Sequence, residues 1–399
     1  MERPFSMAEY WDRIHNVQQS MGRAGIEVLL VADPANMNYL VGYDGWSFYV
    51  PQMVVVVGWD PEPYWIGRPQ DANGARLTTW LSADHIRAYP ETYIQSTDHH
   101  PMETVAALLR ELHVDQRRIG LELDAYYFTA QSYLALQRFL PAATWLDASL
   151  LINWVRSVKS AAELALMREA AAIAQYAMET ALAVIEPGVR EADAAAQIFR
   201  AEIEGVGGLP GDYPAIVPLM PSMERTTASH LTWVDRSYQV GDVVNLELAG
   251  CRHRYHAPLA RTLYLGTPPD DYRRLADVVL AGVDAALEAA RPGAVCEEVE
   301  AAWRRSLAAS GYEKASRLGY AVGVGYPPDW GEHTASLRAG DRTLLRPGMT
   351  FHLIAGMWVE PRGLEISETL AVTDTGVELL THFTRDLLTK TEFPTGRSA

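Results

Sequence analysis

The chain has 399 residues, 48% of them hydrophobic and 21% charged, which is enough apolar material for a sizeable core and a length that suits two domains. Its formal net charge of -16, with no basic stripe to set against it, excludes a nucleic-acid partner that would have to be held through its phosphates. Two cysteines, Cys251 and Cys296, are too few for a disulfide framework and lack the CxxC spacing of zinc or redox sites, so a reducing cytoplasm fits best.

The opening stretch MERPFSMAEYWDRI has no basic segment leading into an apolar one, and apolar runs such as 53–57 are far below the ~20 residues of a spanning helix. A soluble, cytoplasmic protein without membrane contact is expected. An amphipathic opening helix precedes the buried-strand run IEVLLV at 26–31, and Asp33-Pro34 supplies a turn. Strand-like runs at 53–57 and 64–66 and a helix over 102–112 continue the alternation, giving an α/β N-terminal domain over residues 1–150.

The second domain, residues 151–399, opens on a capping box of Ser160 and Glu163. Leu164, Met167, Ala171, Ala174 and Met178 follow at helical spacing, and Pro187-Gly188 ends the helix. A second helix ends the same way at Pro292-Gly293, and each Pro-Gly pair leads into another acidic, Ala-rich helix. LELAG at 246–250 and HLIAG at 352–356 are set apart by nearly the same offset. The half is therefore read as an internal duplication, helix, Pro-Gly, helix and paired strands, twice over. Two such halves would form a curved antiparallel sheet backed by helices, with a pocket on its concave face.

The segments VRSVKSAAELALMREAAAIA, GDVVNLELAG, YHAPLARTLYLG, LRPGMTFHLIAG and ISETLAVTDTGVELLT resemble, in order, the landmarks of the pita-bread fold of creatinase, prolidase, aminopeptidase P and methionine aminopeptidase. The likeness spans about 150 to 385, and the N-terminal half is similar to the creatinase and prolidase N-domain. The implied fold is α+β, a pita-bread catalytic domain with a pseudo-twofold duplication behind an α/β N-terminal domain.

In the metallopeptidases of that fold two aspartates, a histidine and two glutamates hold two metal ions. By register those places fall on Glu247, Pro258, Tyr320, Ile354 and Ser367. Pro258 and Ile354 have no donor atom to offer, so no metal and no cofactor is expected. Creatinase is the metal-free precedent, and SHLTWVDRSYQVGD places His230 at its histidine. Its Leu-Glu-Arg-Thr glutamate falls on Ala260, which disfavours creatine. The pattern ELAGCRHRYHAP, GYPPDWGEH and ISET most resembles the ectoine hydrolases, a metal-free branch that opens the cyclic amidine of ectoine. That branch implies a small-molecule substrate and a homodimer whose N-domain loops close over the neighbouring pocket.

A site for such a substrate needs acidic or aromatic surface for the amidinium, a hydrogen-bonding or cationic contact for its carboxylate, and a nucleophile. Glu247 shares a strand face with Val243 and Asn245; as a nucleophile it would attack the amidine carbon, and His230, with an unperturbed pKa of about 6.5, would shuttle the proton. The plainer readings are a solvated strand residue for Glu247 and a surface histidine for His230. Tyr320, His352, Glu332 and Glu368 are candidate substrate contacts, as are Trp46 and Tyr49 in the aromatic loop YDGWSFYVP. Arg252, Arg254 and Arg362 are candidates for the carboxylate, and Arg261 is read as structural. Two other readings stay open, a residual Xaa-Pro metallopeptidase and an inactive pita-bread module that only binds a ligand. GVGYPP lacks the strand-then-helix setting of a nucleotide loop, and no Gly-x-Ser-x-Gly elbow occurs.

Overall fold

A computed structural model describes residues 3–393, and the chain divides into two compact units, Met1–Arg156 and Ser157–Ala399.

In the first unit, Ser6 caps helix α1 (Met7–Ala24) by accepting from Glu9 N–H, and Gly25 ends it at φ 71°, a left-handed conformation that glycine adopts without a Cβ penalty. Asp33 and Pro34 do more than turn the chain. Asp33 accepts from Ala35 N–H as N-cap of α2 (Pro34–Val41), with the proline at a position where no N–H is needed. Strands β1 (Val28–Val31), β2 (Met53–Val57), β3 (Tyr64–Gly67), β4 (Ile86–Ala88), β5 (Arg118–Leu121) and β6 (Thr144–Asp147) form one sheet in the order β4-β3-β2-β1-β5-β6. It is mixed: β2 runs antiparallel to β1 and β3, and the other pairs are parallel. Helices α3 (Pro69–Thr78), α4 (Met102–Glu111), α5 (Ala130–Phe139) and α6 (Leu151–Val155) complete the unit; α4 and α5 share a core with the sheet through Val105, Leu109 and Leu136.

The second unit repeats one plan twice. Helices α7 (Ala161–Val184) and α8 (Glu191–Glu204) precede β7 (Val243–Arg252) and β8 (Tyr255–Leu265). Helices α9 (Asp270–Ala289) and α10 (Cys296–Ala308) precede β9 (Gly319–Tyr326), β10 (Asp329–Leu337), β11 (Thr350–Met357) and β12 (Leu364–Val372). The two Pro-Gly stops hold Gly188 at φ 91° and Gly293 at φ 84°, where a side chain would be strained. Ser160 and Glu163 form the expected capping box. Met167, Ala171, Ala174 and Met178 are buried while Leu164 is half-buried. Small residues on α7 let it lie close to β7: a Cβ on Gly250 would sit 1.8 Å from Ala170 O.

The strands form one sheet in the order β13-β12-β11-β9-β8-β14, where β13 is Val377–Leu379 and β14 is Leu388–Lys390, with β10 paired to β9 and β7 to β8. β7 and β8 meet in a two-residue turn with His253 at φ 47° and Arg254 at φ 69°, the primed geometry that matches strand twist. Helices α7 and α8 cover one stretch of the sheet through Met178, Ile198 and Leu246, and α9 and α10 the other through Val279, Trp303 and Phe351. Among the described residues, no helix is long and apolar enough to cross a membrane.

Candidate active site

Val244, Leu246 and Leu248 of β7 face α7 and α8 in a common core, so strand alternation turns Asn245 and Glu247 to the other face. Glu247 is only 4% exposed, which overturns its reading as a residue on a wet face. Its strand is pinned on the outer edge. Leu219 and Glu247 exchange both backbone hydrogen bonds at 3.0 Å, and Asn245 N–H donates to Pro221 O at 3.1 Å.

Side chains then stitch β12 to β8. Thr262 Oγ1 lies 2.8 Å from both Asn245 Oδ1 and the Glu365 N–H. Ser367 Oγ accepts from Ala260 N–H at 2.6 Å, and Thr369 Oγ1 donates to Pro258 O at 2.6 Å. Asn245 pairs with Thr262 and Glu247 with Ala260, so these bonds bring Glu365 and Ser367 alongside Asn245 and Glu247.

Tyr320 and His352, paired across β9 and β11, belong to the same group. Trp330 Nε1 donates to Tyr320 Oη at 3.0 Å, Tyr320 Oη lies 3.1 Å from His352 Nδ1, and His352 Nε2 lies 2.7 Å from Ser367 Oγ. An indole N–H can only donate, so the phenol proton is left for Nδ1, and the Nε2 proton then points to Ser367. Burial, then the charge of Arg317, lowers His352 to about 3. It is a neutral, fixed imidazole. The Tyr320 and His352 rings meet edge to face at 5.4 Å.

Three carboxylates converge on this region. Burial, then the negative charge of Asp329, pushes Glu247 up to about 8. Burial alone would raise Asp329, but the His333 ring nitrogen at 2.8 Å and the Gly331 N–H at 2.9 Å outweigh it and hold Asp329 low. Glu365 is raised by burial first and by Glu247 next, with Lys314 opposing. One acid is held ionised while its neighbours are driven toward the neutral form, the pattern by which a site separates acid and base duties. An interior this acidic, walled by Tyr320 and Trp330, favours a compact delocalised cation.

Other expected site residues stand elsewhere. Glu332 is fully buried against Lys159, Nζ to Oε2 2.6 Å, so its charge is already met. Glu368 projects from the opposite face of β12 to Glu365 and Ser367, pairing with Arg261 Nη2 at 2.7 Å and accepting from Thr381 at 2.6 Å. Each is already paired with a buried cation. His230 is exposed on the loop after the 3-10 turn Met223–Thr227, with Ser229 Oγ at 3.3 Å, outside the hydrogen-bonded group around Ser367. Trp46 and Tyr49 are exposed in the first unit, at 55% and 67%; Tyr49 accepts from Arg68 at 3.1 Å and lines a cavity of about 360 Å³ with His99 and His100.

Arg261 is the buried clamp expected of it, donating to Thr384 O, Ser367 O and Phe383 O. Arg252 is paired with Glu169 at 3.0 Å, Arg254 lies over the Tyr213 ring, and Arg362 donates to Tyr264 Oη at 3.2 Å. Asp329, Trp330, Lys314 and Glu365 were missed by sequence reasoning, whereas Asn245 was placed on the face of Glu247.

Residues 165–374 match metallopeptidase family M24, and residues 13–158 match the creatinase/prolidase N-terminal domain. The chain belongs to metallopeptidase family M24. Within it, the chain is 44% identical to an ectoine hydrolase of Halomonas elongata, covering 97% of this chain and 98% of that one. It is 45% identical, over the same shares, to an uncharacterized hydrolase/peptidase of Sinorhizobium fredii. A crystal structure of prolidase from Thermococcus sibiricus superposes with a TM-score of 0.84 at 20% identity, covering 97% of this chain and all of that one. This is a chain of the hydrolase family with the pita-bread fold.

The M24 name implies metal, and the donors here do not suit one. At the five ligand places of the fold only Glu247 is a carboxylate. Ser367 Oγ is engaged by Ala260 N–H and His352, and Tyr320 Oη by Trp330 and His352. Among the described residues no group of three His, Cys, Asp or Glu side chains is placed to hold an ion. A dinuclear centre needs several hard oxygen ligands around each cation.

Proposed function

We propose that this chain is a metal-independent hydrolase that opens the cyclic amidine ring of ectoine to N-acetyl-2,4-diaminobutyrate, with Glu247 as the nucleophile. The observation that carries the reading is a cluster of mutually interacting acids, Glu247, Glu365 and Asp329, in which Glu247 holds the place of a family metal ligand. The likeness to an ectoine hydrolase along nearly the whole chain supplies the substrate. Burial and Asp329 push Glu247 up to about 8. An amidinium cation entering beside it supplies the missing counter-charge, so the carboxylate ionises where it must attack. Tyr320, His352 and Trp330 fix the ring, and the neutral His352 adds no competing positive charge. The proton must be moved by a second group; His230 could do so only when its exposed loop closes on the bound substrate. A homodimer in the cytoplasm is part of the same reading.

The test is NMR of ectoine mixed with the purified protein in excess EDTA. Ring opening unaffected by the chelator and lost in Glu247→Ala is the required result. Turnover that needs added manganese would return the chain to the metallopeptidases, and ectoine binding by calorimetry without turnover would make it a binding module.

A further inference from the structure

Beside Glu247 lies a second acid with no family metal place and no partner for one of its oxygens. Glu365 is 1% exposed, and its Oε1 is buried without a hydrogen-bond partner among the described residues. A buried carboxyl oxygen left unpaired is unfavourable, so the position is held at an energetic disadvantage. Its backbone, by contrast, is fixed twice: Glu365 N–H donates to Thr262 Oγ1 at 2.8 Å, and the Thr262 hydroxyl lies 3.0 Å from Glu365 O. Strand alternation puts Glu365 on the face of β12 that carries Ser367, whose hydroxyl holds His352. The residue opposite Glu365 on β11 is Gly356, which adds no side chain, and Gly356 O accepts from Lys314 Nζ at 2.6 Å.

We propose that Glu365 is a further catalytic residue, the general acid that delivers a proton to the departing ring nitrogen and then recovers one from water. The proposal rests on the ectoine-opening reading above. The charged groups facing Glu365 are Glu247 from β7 and Lys314 from the segment before β9, and Asp329 from β10 acts on Glu247.

The steps balance as follows. The Glu247 carboxylate adds to the amidinium carbon, forming a C–O bond and a neutral tetrahedral adduct. Glu365 gives its proton to one ring nitrogen, the C–N bond breaks with its electron pair leaving on that nitrogen, and the carbon becomes an O-acyl imidate cation. Water then attacks that carbon while the Glu365 carboxylate takes one of its protons. Collapse expels Glu247 as a carboxylate, leaves the N-acetyl amide, and the last proton passes to the freed amine, which becomes an ammonium. Both acids end as they began. Without Glu365, the nitrogen would have to leave unprotonated.

The experiment compares steady-state pH profiles of wild-type protein, Glu365→Gln, Glu365→Asp and His230→Ala with ectoine. A general acid must be protonated to work, so wild-type kcat falls on the alkaline side. Glu365→Gln is expected to lower kcat by about 10²- to 10⁴-fold and to abolish that alkaline limb while keeping the acid limb set by Glu247. Glu365→Asp keeps the limb at reduced kcat. A Gln variant within about threefold of wild type with both limbs intact overturns the proposal and leaves the ectoine reading standing. Loss of the alkaline limb in His230→Ala instead has the same effect and assigns the proton to His230. If the Gln variant does not fold, the Asp variant decides, because unchanged kcat there rules out a positioned acid. Ectoine left intact by the wild-type protein overturns both readings together.

Discussion

Replacing Glu247 by Gln removes a buried carboxyl that the fold holds at a cost, and the gain in stability should grow with pH. In the folded protein this carboxyl is raised from about 4.5 to about 8, chiefly by burial and secondarily by Asp329. Above 4.5 the unfolded chain has released a proton that the folded chain still holds. Unfolding therefore releases a proton, and the native state loses stability as pH rises from 4.5 to 8, after which the loss levels off. Each pH unit in that window is worth about 1.4 kcal/mol, so at pH 7 the carboxyl costs the fold on the order of 3 kcal/mol, and at pH 5 less than about 1 kcal/mol. Gln keeps the shape and cannot ionise. In a domain of this size about 3 kcal/mol moves the melting temperature by roughly 6–12 °C. Thermal unfolding of both proteins from pH 5 to pH 8 reads the difference directly; groups remote from Glu247 cancel in the comparison, while Glu365, raised in part by Glu247, shifts down with it. A difference that stays constant with pH, or a variant that loses ground as pH rises, would refute the argument. The same substitution should abolish turnover, the usual relation between a strained functional group and the stability it costs.

Ectoine binding should release a proton below pH 8, because Glu247 must ionise to meet the cation; calorimetry in buffers of different ionisation enthalpy detects it, and affinity should fall about tenfold per pH unit below that point. Tyr320→Phe leaves the Trp330 N–H and His352 Nδ1 without the phenol between them, so thermal unfolding should show a loss of about 1–3 kcal/mol together with a lower kcat. Lys159→Met removes the buried cation 2.6 Å from the Glu332 carboxylate, and denaturant unfolding should register about 3–5 kcal/mol of destabilisation, with ectoine turnover per folded molecule little changed.

Periodicity and stop signals made the helices, the Pro-Gly repeats and the hairpin of β7 and β8 legible, because each rests on local chemistry. Glu247 was legible by register, since one carboxylate survives where a ligand stands in the fold. Parity along β12 could have separated the two nearby acids: Glu365 is two residues from Ser367 and shares its face, while Glu368 is one residue away and turns to Arg261. On β10 parity fails, because the strand slips register between Asp329 and Gly331 and again before Ser336. Spacing alone therefore gives no face to Glu332 or Asp329. Lys314 enters from a loop, and its approach to Gly356 is a tertiary event with no sequence signal. His230 kept the spacing of a catalytic histidine, but spacing fixes the strand that follows it, not the path of the loop that carries it.

The most direct test of the central claim is intact-protein mass spectrometry of rapidly quenched, chelator-treated enzyme mixed with ectoine. The account predicts a transient adduct that adds the whole mass of the substrate, since the freed ring nitrogen stays tethered, mapping to the peptide that contains Glu247 and absent in Glu247→Gln. Steady turnover with no adduct at any quench time, or turnover that stops when the chelator is added, would contradict it.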